Sequence, residues 1–166
     1  MTASLEAWTS LSSDGRFDFG IIQEEGSDLI RRRVLRAALE AEQRSRNEKE
    51  ASSAELTLAN YEFQVGAADE AGALTLGLVP RRRSPMLLVG HATIAERDGD
   101  LLLIEGRLSK SPSFWTRRVD VVRRYARIAG VRVPVEMRSR ADVRIAGASS
   151  FSMVYAYESI NGLPAR

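Results

Sequence analysis

Residues 113–158 read SFWTRRVDVVRRYARIAGVRVPVEMRSRADVRIAGASSFSMVYAYE. From Val119 to Tyr157 the odd positions are mostly apolar: Val119, Val121, Tyr125, Val131, Val133, Val135, Met137, Val143, Ile145, Phe151, Met153, Tyr155 and Tyr157. The even positions carry Asp120, Arg124, Arg132, Glu136, Arg138, Arg140, Asp142, Arg144, Ser152 and Glu158. Side chains alternate faces along a strand, so this stretch predicts several strands with one apolar face and one arginine-rich face. An antiparallel sheet wetted on one side produces that pattern, whereas a parallel sheet covered on both sides does not. Gly130, Ser139–Asp142 and Gly147–Ser150 read as its turns, and Asn161-Gly162-Leu163-Pro164 as the end of the strand run.

The same period extends upstream. Tyr61, Phe63 and Val65 alternate before the turn AADEAG, and Leu74, Leu76 and Leu78 alternate after it. Pro80-Arg81-Arg82-Arg83-Ser84-Pro85 is bracketed by prolines and reads as a loop. Met86, Leu88 and Ile94 follow, then the Asp98-Gly99-Asp100 turn, then Leu102, Ile104 and Leu108. Ser111-Pro112-Ser113 breaks the sheet before Phe114-Trp115. At the start of the chain, Leu5, Ala7, Thr9 and Leu11 face Phe17, Phe19 and Ile21 across Asp14-Gly15, a strong hairpin signal.

Between the first hairpin and the later strands the period changes. Ser27 is a suitable N-cap, and Ile30, Val34, Ala37, Ala38 and Ala41 form a helical stripe. Glu40–Arg44 and Glu42–Arg46 are favourably oriented pairs, so a helix is expected over about 28–46. The reading is a mainly β (α+β) single domain over 1–166, with about ten antiparallel strands in up-and-down order and one inserted helix.

The apolar fraction of 44% and charged fraction of 28% are those of a folded globular chain rather than a disordered one. No apolar run approaches the ~20 residues needed to span a bilayer as a helix, and Met1-Thr-Ala-Ser-Leu-Glu does not start a signal peptide. Arginine supplies nearly all the positive charge, lysine occurring only at Lys49 and Lys110. Acids are interspersed among the arginines, so no continuous basic patch points to nucleic acid. The absence of cysteine removes disulfides, thiolate nucleophiles and sulfur-rich metal sites.

An area argument bears on function. About ten strands spaced at ~4.8 Å make a sheet roughly 48 Å wide, while a helix of about 19 residues is roughly 28 Å long and ~10 Å across. One helix therefore shields only part of the apolar face, and large exposed apolar patches are rare on monomers. The sheet curls hard around the helix, closes towards a barrel, or is covered by something else. A curled sheet with an incomplete plug offers a pocket to an apolar ligand. Face and size select Phe63, Leu76, Leu88, Ile104, Val121 and Tyr125 as lining, with Phe114 and Trp115 at the mouth. Arg81, Arg82 and Arg83 are the candidates for an anionic headgroup, against the plainer reading of an exposed charged loop.

The sequence contains little catalytic chemistry. His91 stands alone in a predicted strand with no second metal ligand at a useful spacing. There is no G-x-S-x-G elbow and no phosphate-binding glycine loop. Carboxylates such as Asp69-Glu70 and Asp98/Asp100 sit at turns, where acids are ordinary, and none pairs with a base on one inward face. No catalytic residue, metal or cofactor is expected.

The segments IIQEEGSDLIRRRVLRAALEAE, NYEF, LVPRRR, LLLIEGRLSKSPSFW, VRRYARIAGVRVP and DVRIAGASSFSMVYAYES, in that order, resemble blocks of certain bacterial envelope proteins. Those proteins are uncharacterised relatives of the outer-membrane lipoprotein-sorting and carrier superfamily, with its LolA-like fold. The resemblance runs over roughly residues 17–160 and implies a strongly curved antiparallel sheet, an incomplete barrel, with helix on its concave side. It further implies a cavity for acyl chains of lipoproteins or other lipids, and a periplasmic location. The expectation is a non-enzymatic envelope protein that binds a lipid, acyl chain or acylated protein. The alternative is a protein–protein interaction module whose core is fully packed.

Overall fold

The computed structural model describes residues 3–14, 16–28, 36, 39, 54–144 and 147–165. The chain falls into two compact units, Met1–Glu55 and Leu56–Arg166. In the first, β1 (Ala3–Leu11) pairs antiparallel with β2 (Phe17–Gly26), the hairpin that the turn at Asp14 predicts. The helix expected over about 28–46 lies outside the described residues except at Asp28, Arg36 and Leu39. Arg36 forks onto the Glu24 carboxylate of β2, with both N···O distances at 2.7 Å.

The second unit is a seven-stranded antiparallel sheet in simple chain order. Its strands are β3 (Tyr61–Ala68), β4 (Ala73–Pro80), β5 (Leu88–Ala95), β6 (Leu101–Leu108), β7 (Thr116–Ile128), β8 (Val131–Val143) and β9 (Gly147–Val154). A small hairpin of β10 (Ser159–Ile160) and β11 (Leu163–Pro164) follows. The expected single sheet of about ten strands is therefore corrected: among the described residues the strands divide among three sheets, and the main one is open, with β3 and β9 at its edges. Period-two alternation identifies strands but does not say which of them share a ladder.

Two predicted turns also prove to be strand. Ser139–Asp142 lies inside β8, and Gly147–Ser150 opens β9. Serine, arginine and aspartate together look like turn chemistry, but here they continue the alternation and meet opposite charges across the ladder. Asp120 stands opposite Arg140, and Arg118 opposite Asp142, the kind of cross-strand complementarity that stabilises a sheet.

The registers define two faces. Phe63, Leu78, Gly90, Gly106, Val121, Ser139 and Phe151 form one continuous cross-strand row. The adjacent row on the same face runs Val65, Leu76, Ala92, Ile104, Arg123, Met137 and Met153. The opposite face carries Gln64, Gly77, His91, Glu105, Val122, Arg138 and Ser152 in register. The apolar and charged faces predicted from alternation are thus both present. Their separation is altered by a bulge at Arg124/Tyr125, which shifts the far end of the β7–β8 hairpin by one residue.

The packed core lies at the β3–β6 end of the sheet. Tyr61, Leu78, Leu87, Ala92 and Ile104 are buried together, with Leu56, Phe63, Leu88, Leu101 and Tyr125 packed against them. Tyr61 is anchored at its polar end, its hydroxyl accepting the Leu88 N–H at 3.0 Å, and burial raises the pKa of its phenol. Gly90 and Gly106 oppose each other between β5 and β6. A Cβ at Gly90 would lie 2.1 Å from the Glu105 carbonyl oxygen, and one at Gly106 would lie 2.4 Å from that of Val89. Only glycine fits either position.

Candidate functional site

The apolar face of the main sheet changes character along its width. Over β3–β6 the core covers much of it, although Val65 on β3 stays 74% exposed. Over β7–β9 it carries Val119, Val121, Met137, Phe151 and Met153, all half-buried, and no described residue of those three strands is fully buried. The chemistry follows from residue type: branched valines line one strand, and flexible methionines with one phenylalanine line the next two. Such a surface can adapt to an alkyl chain.

The sequence-predicted lining residues divide between these regions. Ile104 is a core residue, and Phe63, Leu88 and Tyr125 pack directly on the core. Leu76 and Val121 lie half-buried on the same face. Phe114 and Trp115 stand apart from all of them, in the connection between β6 and β7, with 73% and 56% of their surfaces exposed. Val119, Met137, Phe151 and Met153 are the face residues that a choice by size and position missed. They were legible as apolar odd positions, but nothing local marked β7–β9 as the less covered end.

The arginine loop has a structural task. Arg81 donates from Nε to the Leu58 carbonyl at 2.8 Å, and its backbone N–H bonds the Asn60 carbonyl at 2.8 Å. Arg82 donates to Asn60 Oδ1 at 2.6 Å, giving a hydrogen bond to the one buried polar side chain among the described residues. Arg83 reaches the Ser109 carbonyl at 3.3 Å. Ser84 and Ser109 complete the junction: the Ser84 N–H donates to Ser109 Oγ, and that hydroxyl donates back to the Ser84 carbonyl, both at 2.9 Å. The three guanidinium groups remain exposed at the rim while holding these segments together.

The polar face is laced with ion pairs. Glu136 accepts from Arg124 at 3.4 Å and from Arg138 at 2.5 Å, and Arg118 pairs with Asp120 at 2.7 Å. A shallow, open depression of about 450 Å³ lies on this side, bordered by Asp120, Val122, Arg138, Arg140, Ser150 and Ser152 among others. His91 Nε2 meets Glu105 Oε1 at 2.8 Å, also on this face. The register neighbours of that pair, Gly77 and Val122, bring it no nucleophile. Among the described residues no cluster of histidine, aspartate and glutamate could hold a metal ion, and no helix is long and apolar enough to cross a membrane.

No protein-family profile, curated protein or solved structure matches the chain.

Proposed function

We propose that this is a non-enzymatic cell-envelope protein whose curved antiparallel sheet takes up a lipid, an acyl chain or an acylated protein on its apolar face, in the manner of a LolA-like carrier acting in the periplasm. The observation that carries the reading is the half-buried apolar surface of β7–β9, where Val121, Met137, Phe151 and Met153 share one face. A packed β3–β6 end beside a half-open β7–β9 end supports a sheet that binds at one side. The Gly90–Gly106 pair supports strong curvature, because opposed glycines let two strands approach and bend where side chains would collide. Apolar burial at ~25 cal/mol per Å² supplies the affinity. Exposed Arg81, Arg82 and Arg83 are suited to orient an anionic headgroup.

Native mass spectrometry of protein purified without detergent from bacterial envelope, with displacement of a fluorescent polyene fatty acid, tests this. The expected result is a co-purifying acyl-chain mass and probe binding weakened at least about tenfold in Met153→Asp. A lipid-free protein that binds no fatty-acid probe overturns it. The packing of Phe63, Leu88 and Tyr125 against the buried core favours a second reading, an interaction module with no ligand cavity. That reading predicts a lipid-free protein that captures a defined envelope protein.

A further inference from the structure

The connection from β6 to β7 holds the two most conspicuous apolar side chains that the core does not use. The Phe114 and Trp115 rings contact each other edge to face, with centroids 5.5 Å apart. The Arg144 guanidinium lies over the Phe114 ring at 4.8 Å, and the Arg144 N–H donates to the Trp115 carbonyl at 2.7 Å. The loop is a built feature: Ser111 Oγ donates to the Arg117 carbonyl at 3.0 Å, Ser113 and Thr116 hydroxyls meet at 3.0 Å, and the Thr116 N–H bonds the Ser113 carbonyl at 3.2 Å. These bonds hold two large rings where water surrounds them.

The charged residues flanking the rings along the chain are basic, with Asp142 further in, opposite Arg118. Lys110, Arg117 and Arg144 are exposed, and none has a carboxylate partner among the described residues. The nearby Asp120 is engaged by Arg118, which also feels the charge of Asp142. Exposed aromatic rings ringed by unpaired cations match the boundary layer of an anionic bilayer, where rings sit among headgroups and cations meet phosphates. A nucleic acid would need cations spaced along a track with stacking platforms. Here they are gathered at one tip, and the polar face beyond it carries Asp120, Glu136 and Asp142 among its arginines.

We propose that the β6–β7 tip docks the protein on an anionic phospholipid surface, with Phe114 and Trp115 entering the headgroup layer and Lys110, Arg117 and Arg144 on lipid phosphates. This surface is separate from the apolar sheet face, and the assignment does not depend on that face binding a ligand. Each cation contributes about fivefold to partitioning at low salt, and the contribution falls as salt screens it.

The test is flotation with vesicles of equimolar phosphatidylcholine and phosphatidylglycerol, compared with phosphatidylcholine alone. It is paired with fluorescence of Trp115 in a Trp8→Phe background, which leaves a single tryptophan. Expected are flotation with the anionic vesicles, a blue shift of Trp115 emission, and loss of flotation in Phe114→Ser/Trp115→Ser. Lys110→Gln/Arg117→Gln should weaken association by at least about tenfold. These positions are exposed, so the variants retain the fold, checked by unchanged thermal unfolding. Absence of flotation, equal affinity for neutral vesicles, or flotation unaffected by the aromatic substitutions overturns the proposal. So does salt-sensitive binding of single-stranded DNA by a protein that ignores vesicles. Flotation by a protein that takes up no fatty-acid probe upholds the docking tip and removes the acyl-binding reading.

Discussion

Asp100 shows how one side chain ties distant parts of this sheet. It ends the turn between β5 and β6, yet its carboxylate takes Arg132 and Arg127 from either side of the β7–β8 hairpin. Arg127 also reaches Asp98 at 3.3 Å. Hydrogen bonds from Arg132 first, and from Arg127 next, hold the Asp100 carboxyl below its usual pKa. The folded pKa is depressed, so the stabilisation is fully present above the unfolded value of ~3.9 and is lost as pH falls through the folded value. Asp100→Asn should lower Tm by several degrees near pH 7, and the gap from the wild type should narrow as pH is taken below ~4. Thermal unfolding of both proteins across that range measures it, and equal Tm values at neutral pH would sink the claim. Arg132 sharpens the expectation, because its Nε is buried without a hydrogen-bond partner among the described residues and Asp100 is the carboxylate its guanidinium pairs with. In the sequence Asp98 and Asp100 look like ordinary turn acids. Their partners lie about thirty residues onward, a pairing that folding creates and local pattern does not contain.

At the scale of elements, the β7–β8 hairpin is closed by two residues, Ala129 and Gly130, between the paired Ile128 and Val131. Both turn residues have positive φ, 47° and 78°, as a type I′ turn requires. Glycine adopts that region freely, but alanine does so at a cost of roughly 1–2 kcal/mol. Ala129→Asn should therefore stabilise the protein by up to about 1 kcal/mol, because asparagine tolerates the left-handed region. Chemical denaturation would show it as a higher midpoint at unchanged slope, and a lower midpoint would contradict the turn assignment. The sequence marked this turn through Gly130 and marked β7 and β8 through their alternating valines. It misled at Ser139–Asp142, where side chains that usually initiate turns occupy strand positions. What decides that segment is its ladder: Asp120 opposite Arg140 and Arg118 opposite Asp142 give each charge a complement that only a neighbouring strand provides. A charge pattern read along one strand cannot reveal the strand beside it.

At the scale of the molecule, the mainly β, antiparallel character was legible because period two persists over most of the chain. The division into three sheets was not, because alternation carries no record of pairing partners. The same limit applies to the candidate site. Ile104, Phe63, Leu88 and Tyr125 have the right face and size for a ligand wall, but the register packs them with Tyr61, Leu78 and Ala92. Which apolar residues are covered depends on neighbours in space, and that leaves β7–β9 without a fully buried residue among the described ones. Local stability should follow the same gradient, since amides open most readily where few apolar contacts hold them. Hydrogen exchange should be slowest around Leu78, Ala92 and Ile104 of β4–β6. It should be at least about a hundredfold faster across β9, an edge strand with no fully buried residue, and across β10–β11. A fatty acid that binds the β7–β9 face should slow exchange there and leave β4–β6 nearly unchanged, because a ligand stabilises the elements it covers. Uniform protection from β3 to β9 would mean that the half-buried valines and methionines are held as firmly as the core, and the sheet would then have no yielding face on which to receive a ligand.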